Sequence, residues 1–169
     1  VAHSGYLLVG LACAVVVSQG AAILTDYLAA YAVMTLALFA VLAVVEPAQG
    51  SKEGESLKLF DGLYQRTPLL AIAATIALLS QIGLPPTAGF WAKLQVFASA
   101  VSTNRMDFQV VAFIMAINAA IGAVVYLSLV SRMYIAPETN VAVSQRPGTA
   151  PTLACLGCSV LTILWFFFP

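Results

Sequence analysis

Apolar residues arrive in five runs, at about 5–17, 27–45, 67–103, 108–131 and 150–168, separated by polar stretches. Each run reaches, or nearly reaches, the roughly 20 residues that a helix needs to cross a bilayer core. The runs are continuously apolar, without the ten-residue alternation of a membrane β-barrel, and backbone in hydrocarbon must satisfy its own hydrogen bonds. The pattern predicts an all-α fold: a polytopic transmembrane helix bundle of about five spans, forming a single membrane domain over 1–169. The connections, 17–26, 46–66, 102–107 and 136–151, are polar and rich in helix breakers. Within the second, "KLFDGLYQRTP" (58–68) mixes apolar and charged residues, as a short helix lying along the interface would.

The run 67–103 does not fit the scheme. As one helix its 37 residues would extend about 55 Å, against a core of about 30 Å. Its middle reads "QIGLPPTAGFWAKLQVF" (81–97), with Gly83, Pro85 and Pro86 in succession. The prolines cannot donate helical hydrogen bonds and disfavour helix in the residue before them, and Gly83 can take the left-handed conformation that ends a helix. Thr87 is then a natural cap for a second helix.

Two topologies follow: a tight hairpin of two short spans, or one span broken near its middle. Basic residues concentrate on the cytoplasmic side and discriminate between them. A single broken span puts Lys52, Lys58, Arg66, Arg132 and Arg146 on one side and Arg105 on the other. A hairpin gives four against two. The count favours one broken span, with 46–66 and 132–149 together on the cytoplasmic side.

That choice gives Lys93 its significance. In the broken span it lies one to two turns into the second half-helix, near the middle of the membrane. An ammonium there costs several kcal/mol by the lowest estimates, so such residues face protein or water and mark ion and proton paths. Discontinuous helices mark the same kind of site in transporters, because irregular backbone at depth needs a polar surrounding. In the hairpin, Lys93 would merely extend its charge to an interface. The neighbouring Phe90 and Trp91 read as packing against another span. His3, the sole histidine, stands at the start of the first run. It is open to two readings, a proton-path imidazole or a polar residue of that helix. The small residues of "AINAAIG" (116–122) predict close helix packing.

Composition agrees. The chain is 62% hydrophobic and 8% charged, where soluble proteins average about 45–50% and about 25%. The formal net charge is zero and basic residues form no run, which excludes nucleic-acid binding. Cys155 and Cys158 form "CLGC", yet no histidine or second cysteine pair accompanies them, so no metal or redox site is expected. Nor is there a flavin fingerprint or a phosphate-binding glycine loop. The first span begins at once, without a basic leader, so the chain reads as a piece of something longer.

"HSGYLLVG" (3–10), "YLAAYAVMTLALFAVLAVV" (27–45) and "FDGLYQRTPLLAIAATIALLSQIGLPPTAGFWAKLQVF" (60–97), in this order and spacing, resemble the C-terminal third of the N subunits of proton-pumping NADH:quinone oxidoreductase, respiratory complex I. The entry "GLY-x-R-x-P-L-L-A", the break "S-x-x-G-x-P-P-x-A-G-F-x-x-K" and the exit "SRMYIAPE" (131–138) are the distinctive parts. The final span matches only in character. The resemblance implies an antiporter-like subunit of fourteen helices in two inverted repeats, each with a broken helix. It places Lys93 on the proton path and the rest of the subunit upstream. It further implies a chain without cofactors of its own, in a complex that carries NADH, FMN, Fe–S clusters and quinone. Its partners would be the other membrane subunits, the N-terminal part of the same subunit and the lipid of a bacterial inner membrane. Related subunits of cation/proton antiporters and membrane-bound hydrogenases share the break. They remain the alternative, beside a non-pumping structural remnant.

Overall fold

The structure is a computed structural model that describes residues 2–45, 57–137 and 149–168. Among them every regular element is helical: α1 (Ala2–Val16), α2 (Gly20–Val45), a 3-10 turn (Leu57–Phe60), α3 (Leu63–Arg66), α4 (Pro68–Ile82), α5 (Ala88–Ser102), α6 (Met106–Ile135) and α7 (Thr149–Phe167). Three helices are long and apolar enough to cross a membrane: Gly20–Val45, Met106–Ile135 and Ala150–Phe167. Two further apolar helices, His3–Val16 and Pro68–Ile82, are shorter.

Pro68 opens α4 at a position where its missing N–H costs nothing. Thr67 both closes α3, donating its backbone N–H to Leu63, and precedes α4. Before it, the segment expected along the interface folds as two helical turns that bury Leu59, Phe60 and Leu63. Arg66 ties them together, its guanidinium donating to the carbonyls of Leu59 and Asp61, each at 2.9 Å.

The contacts of α6 decide the topology. At its C-terminal end, Arg132 accepts from the Gly62 N–H at 3.2 Å and pairs with Asp61 at 3.5 Å. Residues 57–66 and 132–137 therefore share one end of the bundle. Along its length, Ala112 packs with Ala100, Met115 packs with Ala88, Ala92 and Val96, and Met133 packs with Leu70, Ala71 and Ala74. So α4 and α5 lie end to end against α6, and 67–103 crosses once. Two half-helices of 15 residues match one helix of 30 residues. The remaining parts of the two loops, with Lys52, Glu46, Glu53, Glu55, Glu138 and Arg146, lie outside the described residues.

Two expectations need correction. The connection expected at 17–26 is mostly helix: α2 already begins at Gly20, so only a tight turn (Gly20 N–H to Val17 carbonyl, 2.9 Å) separates it from α1. Gly20 permits this, because a Cβ there would collide with the backbone of Cys13 and Ala14. The stretch 116–122 does not form a packed seam in this chain. Ala116, Ile117, Asn118, Ala120 and Ile121 are exposed, and Ala119 alone of the stretch is part of a described hydrophobic cluster.

Candidate functional site

The helix break is built as its sequence predicts. Gly83 adopts φ 87° and ψ 48°, in the left-handed region, and closes α4 by donating its N–H to Leu79. Leu84 donates to the same carbonyl at 3.1 Å. Thr87 caps α5: its hydroxyl accepts from the Phe90 N–H at 3.4 Å and donates to the Leu84 carbonyl at 2.6 Å. Between them the Pro85–Pro86 bond is cis. One contact was not anticipated. Gly89 comes so close to Ser80 that an added Cβ would overlap the Ser80 carbonyl, and its N–H donates to the Ser80 hydroxyl at 3.1 Å. Glycine at 89 therefore locks the two half-helices together.

Lys93 extends from α5 back across this break. Its Nζ donates to the carbonyls of Gln81 at 2.5 Å and Ile82 at 2.9 Å. These are among the last carbonyls of α4, which have no partner further along the helix and carry its partial negative charge. The ammonium also stands 5.2 Å from the centre of the Tyr6 ring on α1, within cation–π range. Lys93 starts one to two turns into the second half-helix, and its flexible stem carries the charge back to the carbonyl end of the first. The lysine stem also packs over Gly83, where a Cβ would sit 2.9 Å from its Cδ. A cavity of about 190 Å³ opens beside it, lined by Tyr6, Gly83, Lys93, Met115 and Ala119 among others.

His3 faces the same region from α1. It is 8% exposed, its Nδ1 lies 3.0 Å from the Tyr27 hydroxyl, and its ring stacks on Tyr31 at 5.2 Å and meets Tyr6 edge-on at 5.8 Å. Tyr6, which contacts both His3 and Lys93, donates to the Met115 carbonyl at 3.3 Å. The imidazole and the ammonium thus share one aromatic wall, and the structure brings together the two titratable residues singled out in the sequence. Phe90 packs on Phe166 of α7, ring centres 6.2 Å apart, as a packing role requires.

Sequence reasoning passed over Asp26. Assigned to a connection, it belongs to the second turn of α2. Its carboxylate accepts from Gln95 Nε2 at 3.2 Å and from the Trp165 indole at 3.1 Å. The available signal was an acid within "GAAILTDYLAAY", whose apolar residues continue the following run backwards to Gly20. Among the described residues no group of three or more His, Cys, Asp or Glu could hold a metal ion. Cys13, Cys155 and Cys158 are free thiols.

This architecture has known counterparts. Residues 1–122 match the family described as "NADH:quinone oxidoreductase/Mrp antiporter, TM". Proteins named NADH-quinone oxidoreductase subunit N align with the chain from end to end. That of Anoxybacillus flavithermus is 37% identical over 170 residues, covering 100% of this chain and 32% of the relative. That of Desulfovibrio desulfuricans is 32% identical over 182 residues, covering 100% and 35%. The chain thus spans about a third of the length of the curated relatives it matches. A chain in the structure titled "Respiratory complex I from Thermus thermophilus with bound Aureothin" superposes with TM-score 0.76 at 32% identity, covering 99% of this chain and 36% of that one. Because the family match takes in α1, α2, both halves of the broken helix and more than half of α6, the chain belongs to the NADH:quinone oxidoreductase/Mrp antiporter transmembrane family.

Proposed function

We propose that this chain is the C-terminal part of a proton-translocating subunit of NADH:quinone oxidoreductase, and that Lys93 is its proton carrier. The observation that carries the reading is the position of the Lys93 ammonium, held by the open carbonyl end of α4 at a break halfway along a membrane span. A proton-carrying amine needs polar groups to hold its charge, room for water to reach it, and a neighbour whose charge can change. The Gln81 and Ile82 carbonyls supply the first, and the adjoining cavity of about 190 Å³ supplies the second. His3, across the Tyr6 ring, is the candidate for the third.

On this reading the chain does no redox chemistry. NADH, FMN, Fe–S clusters and quinone belong to other subunits of the complex. Electron transfer there changes the charge near Lys93 and the amine passes its proton on. The partners are the other membrane subunits, the preceding part of the same subunit and the surrounding lipid, in the plasma membrane of a bacterium. The family description also covers Mrp antiporters, so a cation/proton antiporter subunit is the second reading; the subunit N names of the relatives favour the first.

The test is substitution in the complete complex reconstituted into vesicles. Lys93→Met should leave assembly intact and lower proton pumping, with quinone reduction falling too where the two are tightly coupled. Lys93→Arg should restore little, since a guanidinium does not release its proton. Undiminished pumping by the Lys93→Met complex would show that the lysine is only an anchor.

A further inference from the structure

Asp26 is the one acidic side chain among the described residues without an ion pair, since Asp61 pairs with Arg132 and Asp107 with Arg105. It lies six residues into α2, about 9 Å from the end of that helix. The other end of α2 packs through Val44 and Val45 with Leu59 and Met133, so Asp26 lies toward the end of the bundle opposite Asp61 and Arg132. Both of its partners are pure N–H donors, one from α5 and one from α7. Each carboxylate oxygen accepts one of these bonds and keeps a further lone pair.

Buried polar side-chain atoms without hydrogen-bond partners lie on three of the helices that surround the break and this carboxylate. Gln81, whose carbonyl holds the Lys93 ammonium, is 4% exposed and keeps its side-chain Oε1 without a hydrogen-bond partner. On α5 and α7, Trp91 Nε1 and Thr162 Oγ1 are likewise buried and unpartnered. Trp91 stands four residues before Gln95 on α5, and Thr162 three residues before Trp165 on α7, so each shares a helix face with a residue that holds Asp26. Thr162 is fully buried. A donor, an acceptor and a hydroxyl, each buried and without a protein partner, can each hold one end of a bridging water.

We propose that Asp26 is the outlet carboxylate of the route that begins at Lys93, an inference that rests on the proton-carrier reading above. The ammonium gives up one proton, which passes through waters held at the Gln81 amide oxygen, the Trp91 indole N–H and the Thr162 hydroxyl, and protonates the Asp26 carboxylate. The lysine is left as a neutral amine. The carboxylic acid then loses the same proton to water at the near membrane surface, restoring the anion between Gln95 and Trp165. No oxidant, reductant or other ion takes part.

The experiment compares the complete complex carrying Asp26→Asn, Asp26→Glu, Thr162→Val or Lys93→Met, each reconstituted into vesicles with protons pumped per electron as the readout. Asp26→Asn keeps the shape and one acceptor, so the complex should assemble at wild-type yield. It should pump no better than Lys93→Met. Asp26→Glu should recover most of the loss, because it restores an acid. Thr162→Val replaces the hydroxyl by a methyl at equal volume and should slow pumping, whatever the fate of the Asp26 variants. Normal pumping by Asp26→Asn or by Thr162→Val, beside a deficient Lys93→Met complex, would overturn the outlet and leave the lysine reading standing. An Asp26→Glu complex no better than Asp26→Asn would also overturn it, since the carboxylate would then act only as a hydrogen-bond acceptor. Normal pumping by Lys93→Met would sink the lysine reading itself, and the outlet with it.

Discussion

The broken span and α6 lie side by side with the same number of helical residues, and they solve opposite problems. In α4, nine of 15 residues are buried, and in α5 six of 15; in α6 the buried residues are Ala112, Met115 and Met133. Along α6 an uninterrupted ladder satisfies every interior backbone group, so the helix can face lipid on most sides. A break cannot face lipid. The ends opened at Gly83 and Thr87 need partners, and they find them in Lys93, the Thr87 hydroxyl and the Leu79 carbonyl. The surrounding helices cover Gln81, Thr87 and Gly89, while Leu84, Pro85 and Pro86 at the centre of the break stay exposed in this chain. The polar machinery is therefore concentrated where the ladder is interrupted, and the apolar helix beside it acts as a wall.

Gly89→Ala attacks that arrangement most directly. The new Cβ would overlap the Ser80 carbonyl, which is backbone and cannot swing aside. The half-helices must then separate, pulling Lys93 away from Gln81 and Ile82. Overpacking of this kind costs about 3 kcal/mol at the upper end of its usual range. Thermal unfolding of the detergent-solubilised chain measures it. A Gly89→Ala chain as stable as the parent would mean that the close approach at 80 and 89 does not hold the break together.

Truncation inside the same half of the bundle should cost less. Leu78 is fully buried in α4 within the cluster that includes Val41, Leu70 and Met133. Leu→Ala in a soluble core removes transfer energy and leaves a cavity. In a membrane the transfer part largely disappears, because the separated helix remains in apolar surroundings. The cavity part stays, so Leu78→Ala should lower stability by about 2 kcal/mol, the low end for such changes.

The same contrast explains what could be read from the sequence. The break was legible because Gly83, Pro85, Pro86 and Thr87 act through backbone geometry, which is local. The single crossing was legible from Arg and Lys counts, and the cost of a charge at depth is what makes Lys93 a candidate. Gly89 was not, since its role depends on a residue nine positions earlier that only the folded break brings near. The reach of Lys93 to the α4 carbonyls escaped for a similar reason: helical position fixes where a lysine starts, and four methylenes decide where it ends. Asp26 escaped because an acid near a run boundary reads as loop. Its donors, Gln95 and Trp165, lie 69 and 139 residues away along the chain. The small residues at 116–122 stay mostly exposed in this chain: size permits close packing and does not say with which helix.

The smallest effect expected is the one that closes the comparison. Leu127 lies on α6 with 46% of its surface exposed, against 0% for Leu78. The side chain and the chemical change are identical in the two cases, so only surroundings differ. In the solubilised chain an exposed leucine touches detergent tails on its outer side, and those tails flow in to meet the smaller alanine, so no cavity persists. Alanine is also slightly the better helix former, which offsets part of the lost contact with neighbouring turns. Leu127→Ala should therefore change stability by no more than about 0.5 kcal/mol, within the range of ordinary surface substitutions. Unfolding of the two variants under one detergent condition gives the difference directly. Should Leu127→Ala cost as much as Leu78→Ala, α6 would be packed on its outer face in the solubilised chain, and the contrast between the broken span and α6 would have to be abandoned.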